Sequence, residues 1–181
     1  MPGCGKSTVG RQLARLLGIN FIDLDAEIER KLGEAIRPFF EREGEAAFRA
    51  LEHETLAALL SEARDLVLAT GGGAVLREEN RALLQRHSTV LYLRSSPEEL
   101  FRRLRHDTQR PLLQVNNPLA KLRELFQQRD PLYRRTAHFL IETGRPSVNS
   151  LVNMILMQLE LAGLVDSQRV PSSVQARPTP G

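Results

Sequence analysis

The sequence predicts an α/β protein, with a parallel sheet covered by helices on both sides. Two observations carry this. Short apolar runs of strand length alternate with longer stretches at helical spacing, and consecutive parallel strands need such crossover helices. The two periods are also punctuated by glycines where helices should stop.

Lys6 to Leu17 carries Val9, Leu13, Leu16 and Leu17 on one helical face and ends at Gly18. Asn20 to Leu24 reads as the first strand. Ala26 to Leu32 and Ile36 to Glu43 read as short helices stopped by Gly33 and Gly44. A longer helix, Ala46 to Glu62, turns Phe48, Leu51, Leu56 and Leu59 inward. Leu66 to Ala69 is a second strand, followed by Thr70-Gly71-Gly72-Gly73. A helix over Arg77 to His87 leads to a third strand, Thr89 to Leu93. Ser96-Pro97 is a cap followed by proline at the first helical position, so a helix runs from Pro97 to Arg105. Asp107 to Pro118 has no period and reads as a loop. Leu119 to Gln128 is a helix, His138 to Glu142 a fourth strand, and Ser147 to Ala162 a last helix. From Gly163 to Gly181 the composition turns to Ser, Gln, Val and Pro, which predicts a disordered tail.

Composition limits the function classes. The 181 residues are 41% hydrophobic and 26% charged, the balance of a single globular domain and not of a fibrous or disordered chain. Cys4 is the only cysteine, so no internal disulfide and no zinc cluster are expected, and a reducing cytoplasm is. No stretch reaches the ~20 apolar residues of a membrane span. The net charge is +3, and 22 of the 25 basic residues are arginine. The charge is unevenly placed: Asp23 to Asp65 holds 12 acids against 6 bases, and Arg94 to Arg135 holds 10 bases against 5 acids. Such an arginine-bearing segment suits phosphates, carboxylates or nucleic acid, or is a solvated helix face.

Gly3-Cys4-Gly5-Lys6-Ser7-Thr8 is the back half of a P-loop. Glycines allow backbone N–H groups to wrap a phosphate, and the helix opening at Lys6 points its positive end at the anion. Lys6 is placed to bridge β- and γ-phosphates of ATP, and the Ser7 hydroxyl to ligate Mg²⁺. The first glycine of the motif falls one residue before Met1, and no apolar strand precedes the loop. The expectation is therefore a chain that lacks about ten residues, one strand of ~5–6 residues with its lead-in.

Asp23 and Asp25 fall at the carboxyl end of the first strand, the edge where open α/β sheets bind ligands. One could hold the water shell of Mg²⁺ and the other accept a hydroxyl proton; Asp25 could equally cap the helix from Ala26. Gly71, Gly72 and Gly73 end the next strand at that edge and let a ligand approach the backbone.

Taken together, Gly3 to Ala14, Asp23-x-Asp25, Phe48-Arg49-x-x-Glu52, Thr70 to Gly73, Arg110-Pro111-Leu112-Leu113 and Arg129-x-Pro131-Leu132-Tyr133 resemble shikimate kinase, in order from Met1 to about Leu161. The resemblance implies a three-layer P-loop kinase with parallel strands in the order 2-3-1-4-5, strand 1 being the one absent here. It implies a domain over 1–162 with a mobile lid at about 107–118. The activity it implies is transfer of the γ-phosphoryl group of ATP to the 3-hydroxyl of shikimate, on the route to chorismate and the aromatic amino acids. By motif, Asp25, Arg49, Gly71, Gly72, Gly73 and Arg129 would bind shikimate, with Asp25 as candidate general base and Glu52 supporting Arg49. Gly3, Cys4, Gly5, Lys6, Ser7 and Thr8 would bind ATP, joined by Arg103 and Arg145 near adenine. Arg110 would reach the transferring phosphoryl group when the lid closes, and Ser7 with Asp23, through water, would hold Mg²⁺. The partners expected are these small molecules alone, with a monomeric chain, no nucleic acid and no membrane.

Alternatives at this point are another small-molecule P-loop kinase, such as a gluconate or nucleoside monophosphate kinase, and a regulatory ATP-binding or nucleic-acid-binding module. A third is an inactive chain, since a sheet without its central strand leaves neighbouring edges unpaired and the 181-residue chain poorly stable.

Overall fold

The computed structural model describes residues 4–62, 64–104, 115–144 and 146–166. Its elements in chain order are α1 (Lys6–Leu17), β1 (Asn20–Asp23), α2 (Leu24–Leu32), α3 (Ile36–Ser61), β2 (Leu66–Ala69), a 3₁₀ turn (Ala74–Leu76) and α4 (Glu78–His87). β3 (Leu91–Arg94), α5 (Pro97–Leu104), α6 (Pro118–Thr136), β4 (Phe139–Glu142) and α7 (Val148–Leu161) follow.

Strand alternation builds the layers. Phe21 and Val67 point toward α1, where a Cβ on Gly10 would lie 2.7 Å from the Phe21 ring and 3.5 Å from Val67. Their neighbours Ile22 and Leu68 point the other way, into a second cluster formed by Leu24, Ile28, Phe48, Leu56, Leu59 and Leu84. The period of two thus sends one β-strand pair's side chains into two cores, with α1 on one face and α2, α3 and α4 on the other. The first core continues through α7 (Leu151, Val152, Ile155, Leu156, Leu159) to Leu122 and Leu125 of α6.

The strands form two parallel pairs, β1 with β2 and β3 with β4. Register pairs Asn20 with Leu66 through Asp23 with Ala69, and Leu91 with Phe139 through Arg94 with Glu142. Between the pairs lies a cavity of about 740 Å³, lined by Leu66, Val67 and Leu68 of β2 and by Leu91, Tyr92 and Leu93 of β3. Cys4, Lys6 and Gly71 line it as well. The β1-β2 and β3-β4 pairs thus face each other across this cavity.

Gly44 separates two helical segments of α3 as expected, its φ of 86° and ψ of 173° being non-helical and making the kink at which they meet. Two local readings are corrected. Helix α2 starts at Leu24, two residues early, because Asp23 caps it. Helix α6 does not stop at Gln128 but runs through Pro131 to Thr136. Its cap is Asn117, which accepts from the Ala120 N–H, with Pro118 at the first position. The Ser96-Pro97 start of α5 is a reciprocal capping box with Glu99. The last helix ends as expected, and the Gly163 and Leu164 N–H groups bond back to Glu160 and Leu159. Residues 105–114, most of the expected lid, and 167–181, most of the expected tail, lie outside the described residues. Among the described residues no helix is long and apolar enough to cross a membrane.

Candidate active site

The site grows from the end of the first strand pair. Gly5 takes φ 82° as the cap residue of α1, and this backbone turn starts the helix with Lys6 and Ser7 in its first turn. Ser7 Oγ donates to Asp23 Oδ2 at 2.8 Å, while Asp23 Oδ1 accepts the N–H groups of Asp25 and Ala26 at 3.0 and 3.3 Å. Asp23, not Asp25, is therefore the cap of α2, and the Asp25 carboxyl is left to face the site. A Cβ on Gly71 would stand 2.9 Å from Asp25 Oδ1 and 3.4 Å from Glu52 Oε2. One on Gly73 would overlap the Arg49 guanidinium, so the glycine turn is bare because a carboxylate and a guanidinium lie against its backbone.

Asp25 is half-buried. Burial pushes its carboxyl above the ordinary value of 3.8, Asp23 and Glu29 push the same way, and Lys6 and Arg49 pull back. Lys6 Nζ also lies 3.9 Å from Cys4 Sγ. Glu52 is 1% exposed and accepts from Arg49 Nη1 at 2.8 Å. Burial raises the Glu52 carboxyl as well, against the pull of Arg49 and Arg129. Arg49 Nε is buried with no hydrogen-bond acceptor, Glu45 standing 3.5 Å away at ion-pair distance only.

From α6, Arg129 interacts with Glu52 and with the Tyr133 hydroxyl. Tyr133 is mostly buried, which pushes its phenol up to about 12. Its hydroxyl donates to the Gly72 carbonyl. The structure thus brings Asp25, Arg49, Gly71, Gly72, Gly73 and Arg129 around one cleft beside Lys6, Ser7 and Asp23. Thr8 is exposed in the first turn of α1.

A family model described as shikimate kinase matches residues 2–160. The chain belongs to the shikimate kinase family. It is 58% identical over 166 residues to the shikimate kinase of Paracidovorax citrulli, covering 91% of each chain. It is 57% identical to that of Burkholderia pseudomallei, covering 91% of this chain and 89% of the relative. Among solved structures, the shikimate kinase of Acinetobacter baumannii in complex with shikimate matches with a TM-score of 0.82 and 49% identity, covering 91% of this chain and 90% of that one. The enzyme from Bacteroides thetaiotaomicron matches with a TM-score of 0.81 and 32% identity, over 88% of this chain and 94% of that one.

Within this shikimate kinase, Arg103 sits apart from the cleft at the ends of the second strand pair. Its Nη2 donates to the Thr143 carbonyl at 2.6 Å and its Nη1 lies 3.5 Å from Ser95 Oγ. Gly3, Arg110 and Arg145 lie outside the described residues. Sequence reasoning misses Tyr133 as a site residue, because a helix ended at Gln128 leaves it without a defined direction. On a continuous α6, Arg129 and Tyr133 are four residues apart and share a face. Nothing in the sequence signals Asn80, which is fully buried, donates to the Ala74 carbonyl at 3.0 Å and meets His53 Nδ1 at 2.6 Å to hold the end of the glycine turn.

Proposed function

We propose that this shikimate kinase transfers the γ-phosphoryl group of ATP to the 3-hydroxyl of shikimate through the cleft between Lys6, Asp25, Arg49 and Arg129. The observation that carries the site assignment is the Arg49 guanidinium lying over the glycine turn, with Arg129 acting on the same buried Glu52 carboxylate that Arg49 binds. A guanidinium pairs with a carboxylate through two parallel hydrogen bonds, and two arginines here leave a place for a carboxylate that Glu52 alone does not use up.

Asp25 is the proton acceptor in this reading. Its raised affinity for a proton brings it nearer to neutral pH, which suits a general base acting on a hydroxyl. Lys6 neutralises the β- and γ-phosphates, with the backbone of Cys4, Gly5 and Thr8, and with Gly3, around them. Ser7 and Asp23 present a hydroxyl and a carboxylate side by side, hard oxygen donors suited to Mg²⁺. Among the described residues no cluster of three carboxylate, histidine or cysteine ligands exists, which fits an ion held mainly by phosphates and water. When bound, Mg²⁺ supplies charge neutralisation on the phosphates. By the resemblance, Arg103 and Arg145 would serve the adenine side, and Arg110 would add charge at the transferring group as closure excludes water. In this reading the chain works as a monomer on small molecules, without nucleic acid. A lone, buried cysteine and an ATP substrate fit the cytoplasm.

Replacing Arg49 or Arg129 by alanine should weaken shikimate binding by about 2–5 kcal/mol, the size of a truncated buried charge pair, with ATP affinity unchanged. Calorimetric titration checks this, and tight shikimate binding by the double variant would remove the assignment. Lys6→Ala should lower shikimate-dependent ADP release by about 10²–10³-fold, the loss typical of one charge-stabilising donor. The melting temperature should stay within a few degrees. Unchanged turnover would dispose of the phosphate-binding role.

A further inference from the structure

We infer that Asp130, held by Tyr92 and Arg94 of β3, is a positioning residue that aims Arg129 at the acceptor's carboxylate; this rests on the assignment of Arg129 made above. Asp130 is 9% exposed, and both of its oxygens are occupied. Tyr92 Oη donates to Oδ1 at 2.8 Å, Arg94 Nε to Oδ1 at 3.1 Å, and Arg134 Nε to Oδ2 at 2.8 Å. Arg94 carries the link on to β4 through Glu142 at 2.9 Å. Burial pushes the Asp130 carboxyl up, and its three donors outweigh that and hold it below the usual range.

The place of this cluster in α6 gives it its role. Pro131 has no N–H to give to the carbonyl four residues back, so the helix lacks a ladder bond in the turn that carries Arg129. The orientation of that turn is supplied from outside, by β3. Tyr92 holds it at two points: its hydroxyl binds Asp130, and its ring packs on Tyr133 with centroids 4.9 Å apart. Tyr133 in turn binds the Gly72 carbonyl, so one strand residue ties Arg129's helix to the glycine turn. Bidentate pairing with a carboxylate tolerates little error, since a misplacement of about 1 Å can cost about 10²-fold.

The expected result for Asp130→Ala is a rise in KM for shikimate of about 10- to 100-fold, with KM for ATP unchanged and kcat within a few-fold. Tyr92→Phe should show the same pattern at smaller size. Asp130→Asn, which keeps an oxygen for Tyr92 and Arg94, should recover most of the affinity. In an Arg129→Ala background, Asp130→Ala and Tyr92→Phe should have no further effect, because both act through Arg129. Additive losses in that background, or equal rises in both KM values, overturn the positioning role. A second readout needs no substrate: the Arg129 Nε–H resonance in ¹⁵N NMR of the ligand-free protein should shift or broaden in Tyr92→Phe. An unchanged resonance overturns the positioning role whatever the substrate. Failure of the parent protein to bind shikimate, with the resonance still sensitive to Tyr92, overturns the functional assignment instead.

Discussion

Replacing Asp25 by asparagine should lower turnover by orders of magnitude and at the same time make the fold more stable at neutral pH. The amide cannot take the hydroxyl proton, and loss of a positioned general base lowers rate by about 10²–10⁴-fold. The stability change has the opposite sign for an electrostatic reason. Burial, Asp23 and Glu29 raise the Asp25 pKa in the folded state, so the folded chain binds this proton more tightly than the unfolded chain. Stability from this group therefore falls as pH rises from the ordinary value of 3.8 through the raised one, and stays low above it. Glu52, raised mainly by burial, adds to the same trend. An amide in place of the Asp25 carboxylate removes the repulsion, so thermal melts should favour the variant at pH 7 and converge with the parent at acid pH. Each kcal/mol recovered is worth about 2–4 °C in a chain of this size. A variant that melts lower at pH 7 would contradict this account of the site.

Supplying one apolar strand to the cavity between β2 and β3 should raise the melting temperature by about 10 °C or more. A five-residue strand occupies about 800 Å³, from a rise of ~3.3 Å per residue, ~4.8 Å between strands and ~10 Å between layers. The cavity measures about 740 Å³ and is walled by the facing edges of both strand pairs. Each buried backbone group that gains a partner there recovers ~1–3 kcal/mol, so a few suffice. Because Cys4, Lys6 and Gly71 line the same cavity, the strand should also increase ADP release by steadying the phosphate loop. The measurement is a melt of the chain carrying an apolar five-residue strand and a glycine ahead of Met1. A version with proline at the central position serves as control. No rise, or an equal rise with the proline version, would show that strand pairing is not what the cavity accepts.

Much of the fold is legible along the chain because it depends on local rules. Gly18 and Gly33 stop their helices as read, and Leu66 to Ala69 forms β2 with the boundaries its apolar run predicts. The third strand lies later than expected, starting at Leu91. The Val90 N–H is satisfied by the His138 imidazole at 2.9 Å, a contact between residues 48 apart that no local pattern reports. A helix stop at Gln128 follows from the local preference of Asp130-Pro131. It fails because Tyr92, Arg94 and Arg134 hold Asp130 and keep the helix on course past the proline.

The sequence by itself determined the α/β class, the phosphate loop at Lys6 and Ser7, and the set of residues that resemble a shikimate-binding pattern. These rest on periodicity, backbone preference and residue chemistry, all readable within a few positions. Tertiary structure decided that Asp23 and not Asp25 caps α2, which frees Asp25 for the cleft. It also decided that Arg49 keeps a buried donor unsatisfied, and that Asp130 links α6 to β3. Each of these depends on which group wins a contested hydrogen bond in a place shielded from water. That competition is settled only when distant segments pack together.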